Sequence, residues 1–307
     1  MRFKAYLVLF GLAALWGASF LFIKVAVGDM SPVLLVFVRL VFGVLGLLLL
    51  VPFRPQIMSG WHRHLGAFAL VAFFNAVIPY LAISWGELHV SSGMAAILNA
   101  TTPLVLVILS IWWPGGERLT LLRLAAVLLG FIGVGILVGP AALAPGSSNI
   151  YVLGTLSCLL GAASYAFGSL LAHKLFVGLP PIQQAIGQIG GGAIIMVPIT
   201  GVDLVLHPLT HFPSAWAVAA ALALALGGTS LAYLCYFWLL DNVGPTRTLI
   251  VTYLLPCMAL VYGVLLLHEP LSINAIGGLV LVLMGVFLAA RKSPTKRVVP
   301  EMGARQG

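Results

Sequence analysis

The stretch YLAISWGELHVSSGMAAILNATTP, residues 80–103, returns later in the chain as YLCYFWLLDNVGPTRTLIVTYLLP, residues 233–256. At a constant offset of 153 residues, Tyr80/Tyr233, Leu81/Leu234, Trp85/Trp238, Val90/Val243, Ile97/Ile250 and Pro103/Pro256 are identical. With a one-residue gap the match runs on through Glu117/Glu269, Leu119/Leu271, Leu129/Leu281, Gly133/Gly285 and Val134/Val286. The chain therefore reads as one unit written twice. We expect a first repeat over residues 1–142, a second over 143–292, and a basic tail over 293–307.

Composition fixes the solvent. Of 307 residues, 62% are hydrophobic and 7% charged, and the mean hydropathy is +1.15; so few charges cannot cover a water-soluble domain. A bilayer core is about 30 Å thick and takes about 20 apolar residues per helix. Cutting the apolar runs at charges and at Pro/Gly clusters gives ten expected transmembrane helices, at 5–27, 32–52, 65–86, 90–112, 119–138, 150–173, 181–200, 214–239, 245–266 and 271–290. Runs such as LVFGVLGLLLLV (40–51) lack the alternation of a membrane β-barrel, so the expected class is all-α integral membrane. The N-terminal MRFKAYLVLFGLAALWGASF has a signal-like pattern, but further spans follow at once, and it reads as the first helix.

A net charge of +8 would suggest nucleic acid in a soluble protein; here it orients helices. With the N-terminus inside, all fifteen Lys and Arg except Lys24 and Arg39 fall on or near the cytoplasmic side. This is the positive-inside pattern of a multi-pass cell (inner) membrane protein with both termini cytoplasmic. Five spans per repeat is odd, so the second copy must enter from the opposite side. Such inverted repeats give two near-equivalent packings that expose a midplane site alternately, the symmetry of a transporter.

The motifs LWGASFLFIKVAV (15–27), SPVLLVFVRL (31–40), GERLTLLRLAAVLLGFIGVGILV (116–138) and HEPLSINAIGGLVLVLMGVFLAA (268–290) carry a family resemblance. The chain resembles an EamA-type member of the drug/metabolite transporter superfamily over residues 5–290. The resemblance implies a ten-helix basket around a central cavity, and secondary export of amino acids or other small organic metabolites or drugs. The expected partners are a small-molecule solute and the lipid bilayer, with no nucleic acid; the motifs name neither the solute nor the oligomeric state. The alternatives are a membrane-embedded enzyme acting on lipid or peptide, and a receptor or scaffold. No GxSxG, H-E-x-x-H or GxxxxGK[ST] occurs, and every histidine lies in or beside a loop, so the reading is non-enzymatic, with no cofactor or catalytic residue.

Polar groups on apolar spans mark the expected cavity wall. Arg39 lies seven residues past Pro32, roughly 10 Å down a helix rising about 1.5 Å per residue. A charge at that depth faces a cavity or a partner, and Arg39 is expected either to hold helix C-terminal carbonyls or to attract an anionic solute group. Trp16, Ser19, Asn75, Tyr80, Asn99, Thr101, Thr102, Tyr233, Tyr236, Thr252 and Tyr253 complete the candidate cavity residues, with interhelical hydrogen bonding as the competing role. Pro103 and Pro256 each free a carbonyl about a turn earlier, and with Pro79 they are the expected gating kinks.

Other features have plainer readings. Lys24 is expected to snorkel as an anchor. Glu87 and Glu269 are placed at outer span ends, which leaves no buried proton-carrying carboxylate, and Glu117 and Glu269 are expected to cap the helices beginning at Leu119 and Leu271. Asp203, His207 and His211 have metal-ligand spacing, but Pro208 interrupts the helix and no metal site is expected. Cys158, Cys235 and Cys257 suggest packing rather than disulfides. The pairs Gly135/Gly139 and Gly187/Gly191 suggest close helix contacts.

Overall fold

The computed structural model describes residues 3–53, 59–114, 120–142 and 149–290, and among these it is all helical. The main rods are α1 (Phe3–Val27), α2 (Pro32–Leu48), α3 (Trp61–Gly86), α4 (Ser92–Trp112), α5 (Leu121–Ala142), α6 (Asn149–Leu175), α7 (Pro181–Leu206), α8 (Ala215–Val243), α9 (Ile250–Leu266) and α10 (Ile273–Ala290). Eight of them are long and apolar enough to cross a membrane. The other two, α2 and α9, have 17 residues each, about 25 Å at the usual helical rise.

Helix starts follow from local chemistry. Ser31, extended and followed by Pro32, accepts from the Leu34 N–H at 3.1 Å; Ser91 and Ser214 do the same for Met94 and Ala217. Ser272 caps α10 by accepting from the Ala275 N–H at 3.1 Å. Glu269 does not cap its own helix as expected. With His268 at φ 54° turning the chain, its carboxylate reaches the start of α4 and accepts from the Ser92 N–H (2.7 Å), the Ser92 hydroxyl (3.0 Å) and the Gly93 N–H (3.2 Å). Glu117, its counterpart in the repeat, and the tail 293–307 lie outside the described residues.

Contacts at the rod ends fix the topology. The Lys4 ammonium lies 5.3 Å from the Trp238 ring centre, joining the start of α1 to the end of α8. At the opposite end, Ser31 donates to Asp203 at 2.8 Å, and Asp29 accepts from the Ser214 N–H and pairs with His211 at 2.9 Å. These partners hold the Asp29 carboxyl down at about 2, so its contribution is present above the ordinary carboxylate value and lost as pH falls through about 2. α7 continues to Leu206, past the expected end at 200, which puts Asp203 on the helix within 3.2 Å of His207. His211 turns to Asp29 instead, and no metal-ligating group of three forms among the described residues.

Two rods carry a wide π turn that the sequence reading did not anticipate: Phe73–Val77 in α3 and Leu226–Leu231 in α8. Their first residues are separated by the same offset of 153 that aligns the two sequence halves. The duplication thus extends to a backbone irregularity.

The tightest crossing joins α5 to α10. A Cβ on Gly278 would sit 2.8 Å from Leu137 Cβ and 2.9 Å from the Gly133 carbonyl oxygen, and one on Gly133 would sit 2.9 Å from the Gly278 oxygen. Gly187 and Gly191 pack on Phe68 and Ala72, in keeping with expectation, but Gly135 and Gly139 meet nothing within 4 Å. Their spacing is right and their face is wrong. Gly278→Leu should therefore destabilise the protein by about 1–3 kcal/mol through overpacking, whereas Gly135→Ala should change stability by less than about 0.5 kcal/mol; thermal unfolding in detergent measures both.

Candidate functional site

The irregular backbone in α3, α4 and α8 surrounds one cavity of about 430 Å³, walled also by α1, α2, α6, α7 and α9. In α4 the helix breaks after Asn99 and restarts at Thr102, with Pro103 in its first turn. Proline cannot donate, which frees the Asn99 carbonyl four residues earlier. The Thr102 hydroxyl takes that carbonyl at 2.7 Å, and the Thr101 hydroxyl takes Leu98 at 2.6 Å. The same repair operates at the π turns. Thr229 donates to the Leu224 carbonyl and Ser164 on α6 donates to Phe74 at 2.7 Å, while the Ser230 hydroxyl lies 2.8 Å from the Gly43 carbonyl of α2 and 3.3 Å from that of Ala225. Hydrocarbon permits such breaks only where the freed groups are satisfied or line a cavity, and both conditions are met here.

Among the described residues of the cavity wall Arg39 is the only charged one, and none is Asp or Glu. The side chain is 8% exposed. Its Nε donates to Thr229 Oγ1 at 3.2 Å and its guanidinium carbon lies 3.7 Å from the Tyr80 ring centroid. The ring face offers a cation favourable electrostatics without neutralising it. No carboxylate pairs with Arg39 among the described residues, and its terminal nitrogens have no protein acceptor there. The charge is thus positioned but left uncompensated.

Aromatic side chains shape the rest of the wall. Tyr80 stands edge-on to Tyr165 at 6.4 Å between centroids, Trp16 lies 5.5 Å from Tyr236, and Tyr233 and Tyr236 flank Phe237 at 5.7 Å each. Gln188 donates to the Tyr233 hydroxyl at 2.7 Å. Asn75, in the first π turn, and Asn99, at the break in α4, each present a buried side-chain oxygen with no partner among the described residues. The wall therefore combines one cation, apolar ring surface and unfilled hydrogen-bonding groups.

Trp16, Ser19, Arg39, Asn75, Tyr80, Asn99, Thr102, Tyr233, Tyr236, Thr252 and Pro103 all line this cavity. Thr101 and Tyr253 do not. Thr101 is fully buried with its hydroxyl committed to Leu98, and Tyr253 packs against the buried apolar cluster that includes Ala96, Ile97 and Ala259. Pro79 occupies the first turn after the π segment of α3 and Pro256 is inside α9; neither lines the cavity. The sequence reading missed Tyr165, Ser169, Gln184 and Gln188. The glutamines, four apart on an otherwise apolar span, were the available signal.

The EamA-like transporter family model matches residues 3–139 and again residues 152–291. This chain belongs to the EamA-like transporter family. Its family relatives include the uncharacterized transporter YoaV of Bacillus subtilis, 23% identical over 93% of this chain and 96% of its own length. The uncharacterized inner membrane transporter YedA of Escherichia coli K12 is 29% identical over 97% of both chains. An uncharacterized transporter of Archaeoglobus fulgidus is 26% identical over 94% of this chain and 99% of its own. One solved crystal structure matches with a TM-score of 0.64 at 20% identity, covering 94% of this chain and 97% of that one, which shows a shared fold.

For this EamA-family member, the wall assignment is checked by aqueous thiol labelling after the three native cysteines are replaced. Asn99→Cys, Thr102→Cys, Gln188→Cys and Thr252→Cys should react in membranes, while Thr101→Cys and Tyr253→Cys should stay at background.

Proposed function

We propose that this chain is a secondary transporter that exports amino acids or other small organic metabolites or drugs by alternating access through the Arg39 cavity. In this reading all ten rods span the inner membrane as two inverted five-helix repeats with both termini cytoplasmic. The name of the relative YedA supports the membrane assignment. The basic residues Lys4, Arg63, Lys174 and Arg247, on the α1 N-terminal end of the bundle, support the orientation.

The observation that carries the proposal is the uncompensated Arg39 charge in an acid-free, aromatic-walled cavity. A buried cation without a counter-ion favours a ligand that brings one. A carboxylate can accept from the free terminal nitrogens of Arg39 while the rest of the solute lies against Tyr80, Tyr165, Tyr233 and Trp16. Asn75, Asn99 and Gln188 supply further polar contacts, as an α-amino acid requires. The cavity wall runs from Ile23 and Ile83 towards Phe176, Gln184 and Thr252, so its far end approaches the proposed cytoplasmic face, which suits loading from inside.

For release on the other side, α4 and α9 must bend. Pro103, Pro256 and Pro79 serve as the hinges because each already lacks one ladder hydrogen bond. The break before Pro103 and the π turn before Pro79 loosen the ladder further.

Flux of radiolabelled amino acids, nucleosides and cationic drugs in proteoliposomes tests the reading. Carboxylate-bearing solutes should move and purely cationic ones should not. A charge-assisted hydrogen bond is worth about 1.5–3 kcal/mol, so Arg39→Ala should cut uptake efficiency about 10–100-fold at matched reconstitution. Arg39→Lys should also be impaired, because an ammonium loses the planar stacking on Tyr80. Wild-type rates in both variants, or turnover of a lipid or peptide in place of flux, would overturn the proposal.

A further inference from the structure

At the end of the cavity marked by Ile23 and Ile83, Glu87 caps the C-terminus of α3. It was expected at the membrane surface. Instead its side chain is fully buried, and both carboxylate oxygens are without a hydrogen-bond partner among the described residues. Lys24 does not snorkel either. Its ammonium turns inward and donates to the backbone carbonyls of Glu87 and Val90, not to the carboxylate.

The titratable groups whose charge is felt at Glu87, none of them in an ion pair or hydrogen bond with its carboxylate, come from several elements: Lys24 on α1, Arg39 on α2, Cys158 on α6 and Glu269 in the α9–α10 connection. His89 follows on its own segment, packed on Trp85. Glu269 is saturated with donors from Ser92 and Gly93, so the two carboxylates have opposite environments. Lying one residue beyond the α3 span, the Glu87 carboxyl is held well above the usual carboxylate range by burial; Lys24 opposes the shift, Glu269 adds to it and Arg39 opposes it.

We propose that Glu87 is a proton-binding site that latches this end of the cavity closed only while it holds its proton, an inference that rests on the transport reading above. An ionised carboxylate in this position would be buried with neither ion pair nor donor, whereas the protonated acid is neutral. A metal cation is disfavoured because the nearby Glu87 and Val90 carbonyls that could complete its oxygen shell are already occupied by Lys24.

The latch follows from position. The Glu87 N–H bonds to the Ile83 carbonyl at 2.8 Å, Ile83 lines the cavity, and Lys24 adjoins Ile23 on the same wall. Opening the cavity at this end parts Glu269 from Ser92 and Lys24 from Val90. Water then reaches Glu87, and its proton passes to the bulk; reclosure requires a proton to be taken up again. One proton is thus bound in the closed arrangement and released in the open one.

Infrared difference spectroscopy of the full chain in a detergent without ester carbonyls tests the site directly, and with only seven Asp and Glu in the chain the carboxyl background is small. A protonated-carboxyl band should persist at neutral pH in the wild type and in Glu269→Gln, and be missing in Glu87→Gln. Should Glu87→Gln fail to fold, 13C-glutamate labelling of the wild type replaces it, and the band must shift with the label. Absence of a band, or one unaltered by both tests, overturns the proposal. In the amino-acid flux assay, changing the pH on the side that this end faces should alter the wild-type rate severalfold, and the Glu87→Gln rate should not respond; an equal pH response in both also overturns it. If no solute moves in the wild type, the transport reading fails, while the band still decides whether Glu87 holds a proton.

Discussion

Backbone satisfaction in hydrocarbon is the constraint on which this structure depends. An unbroken helix meets it automatically but offers nothing to a solute, since its polar groups are all spent on one another. Here the ladder is opened at the π turns of α3 and α8 and at the Pro103 break of α4. The freed carbonyls are taken up by hydroxyls: Thr102 on Asn99, Thr229 on Leu224 and Ser164 on Phe74. The threonines and serines that look like decoration on apolar spans are what allow the breaks to exist. The cavity lies beside these breaks, and Asn75, Asn99 and Gly228 come from within or next to them.

Sequence legibility followed from which signals are local. The all-helical class, the duplication and many of the polar residues on the cavity wall could be read, because bilayer thickness dictates run length and polar residues on apolar spans stand out. What could not be read depends on register and on long-range contact. The π turns change the face of a helix by inserting a residue, which no propensity pattern announces; Gly135 and Gly139 were assigned to an interface that Gly133 and Gly278 form instead. Thr101 and Thr102 are neighbours of the same type, yet one faces the protein interior and the other the cavity, a difference set by the break between them.

Charge placement shows the same limit in sharper form. Counting Lys and Arg in loops gave a consistent side assignment, because loop charges act through number. Lys24, Glu87 and Glu269 are few, sit at span ends and act through geometry. Each was expected to look outward to solvent or to its own helix. Two of them instead reach a neighbouring element, Lys24 joining α1 to the α3–α4 junction and Glu269 joining the second repeat to the α4 start in the first, while Glu87 is buried with both oxygens unpartnered among the described residues. A position near a span end is compatible with water or with burial, and only packing decides between them.

The two repeats have also diverged where their likeness was first noticed. In the first, the helix breaks at Ala100–Thr101 and Pro103 falls in the first turn of the new segment; in the second, α9 passes through Pro256 unbroken, and the irregularity lies earlier, between Pro245–Thr248 and Ile250. Asn99, Ala100, Thr102 and Pro103 consequently reach the cavity wall, whereas from the equivalent segment only Thr252 and Leu255 do. The divergence makes the cavity wall chemically unequal: one half contributes the broken helix and Arg39, the other the aromatic pair Tyr233 and Tyr236 and the hydroxyl of Thr229 that orients the guanidinium.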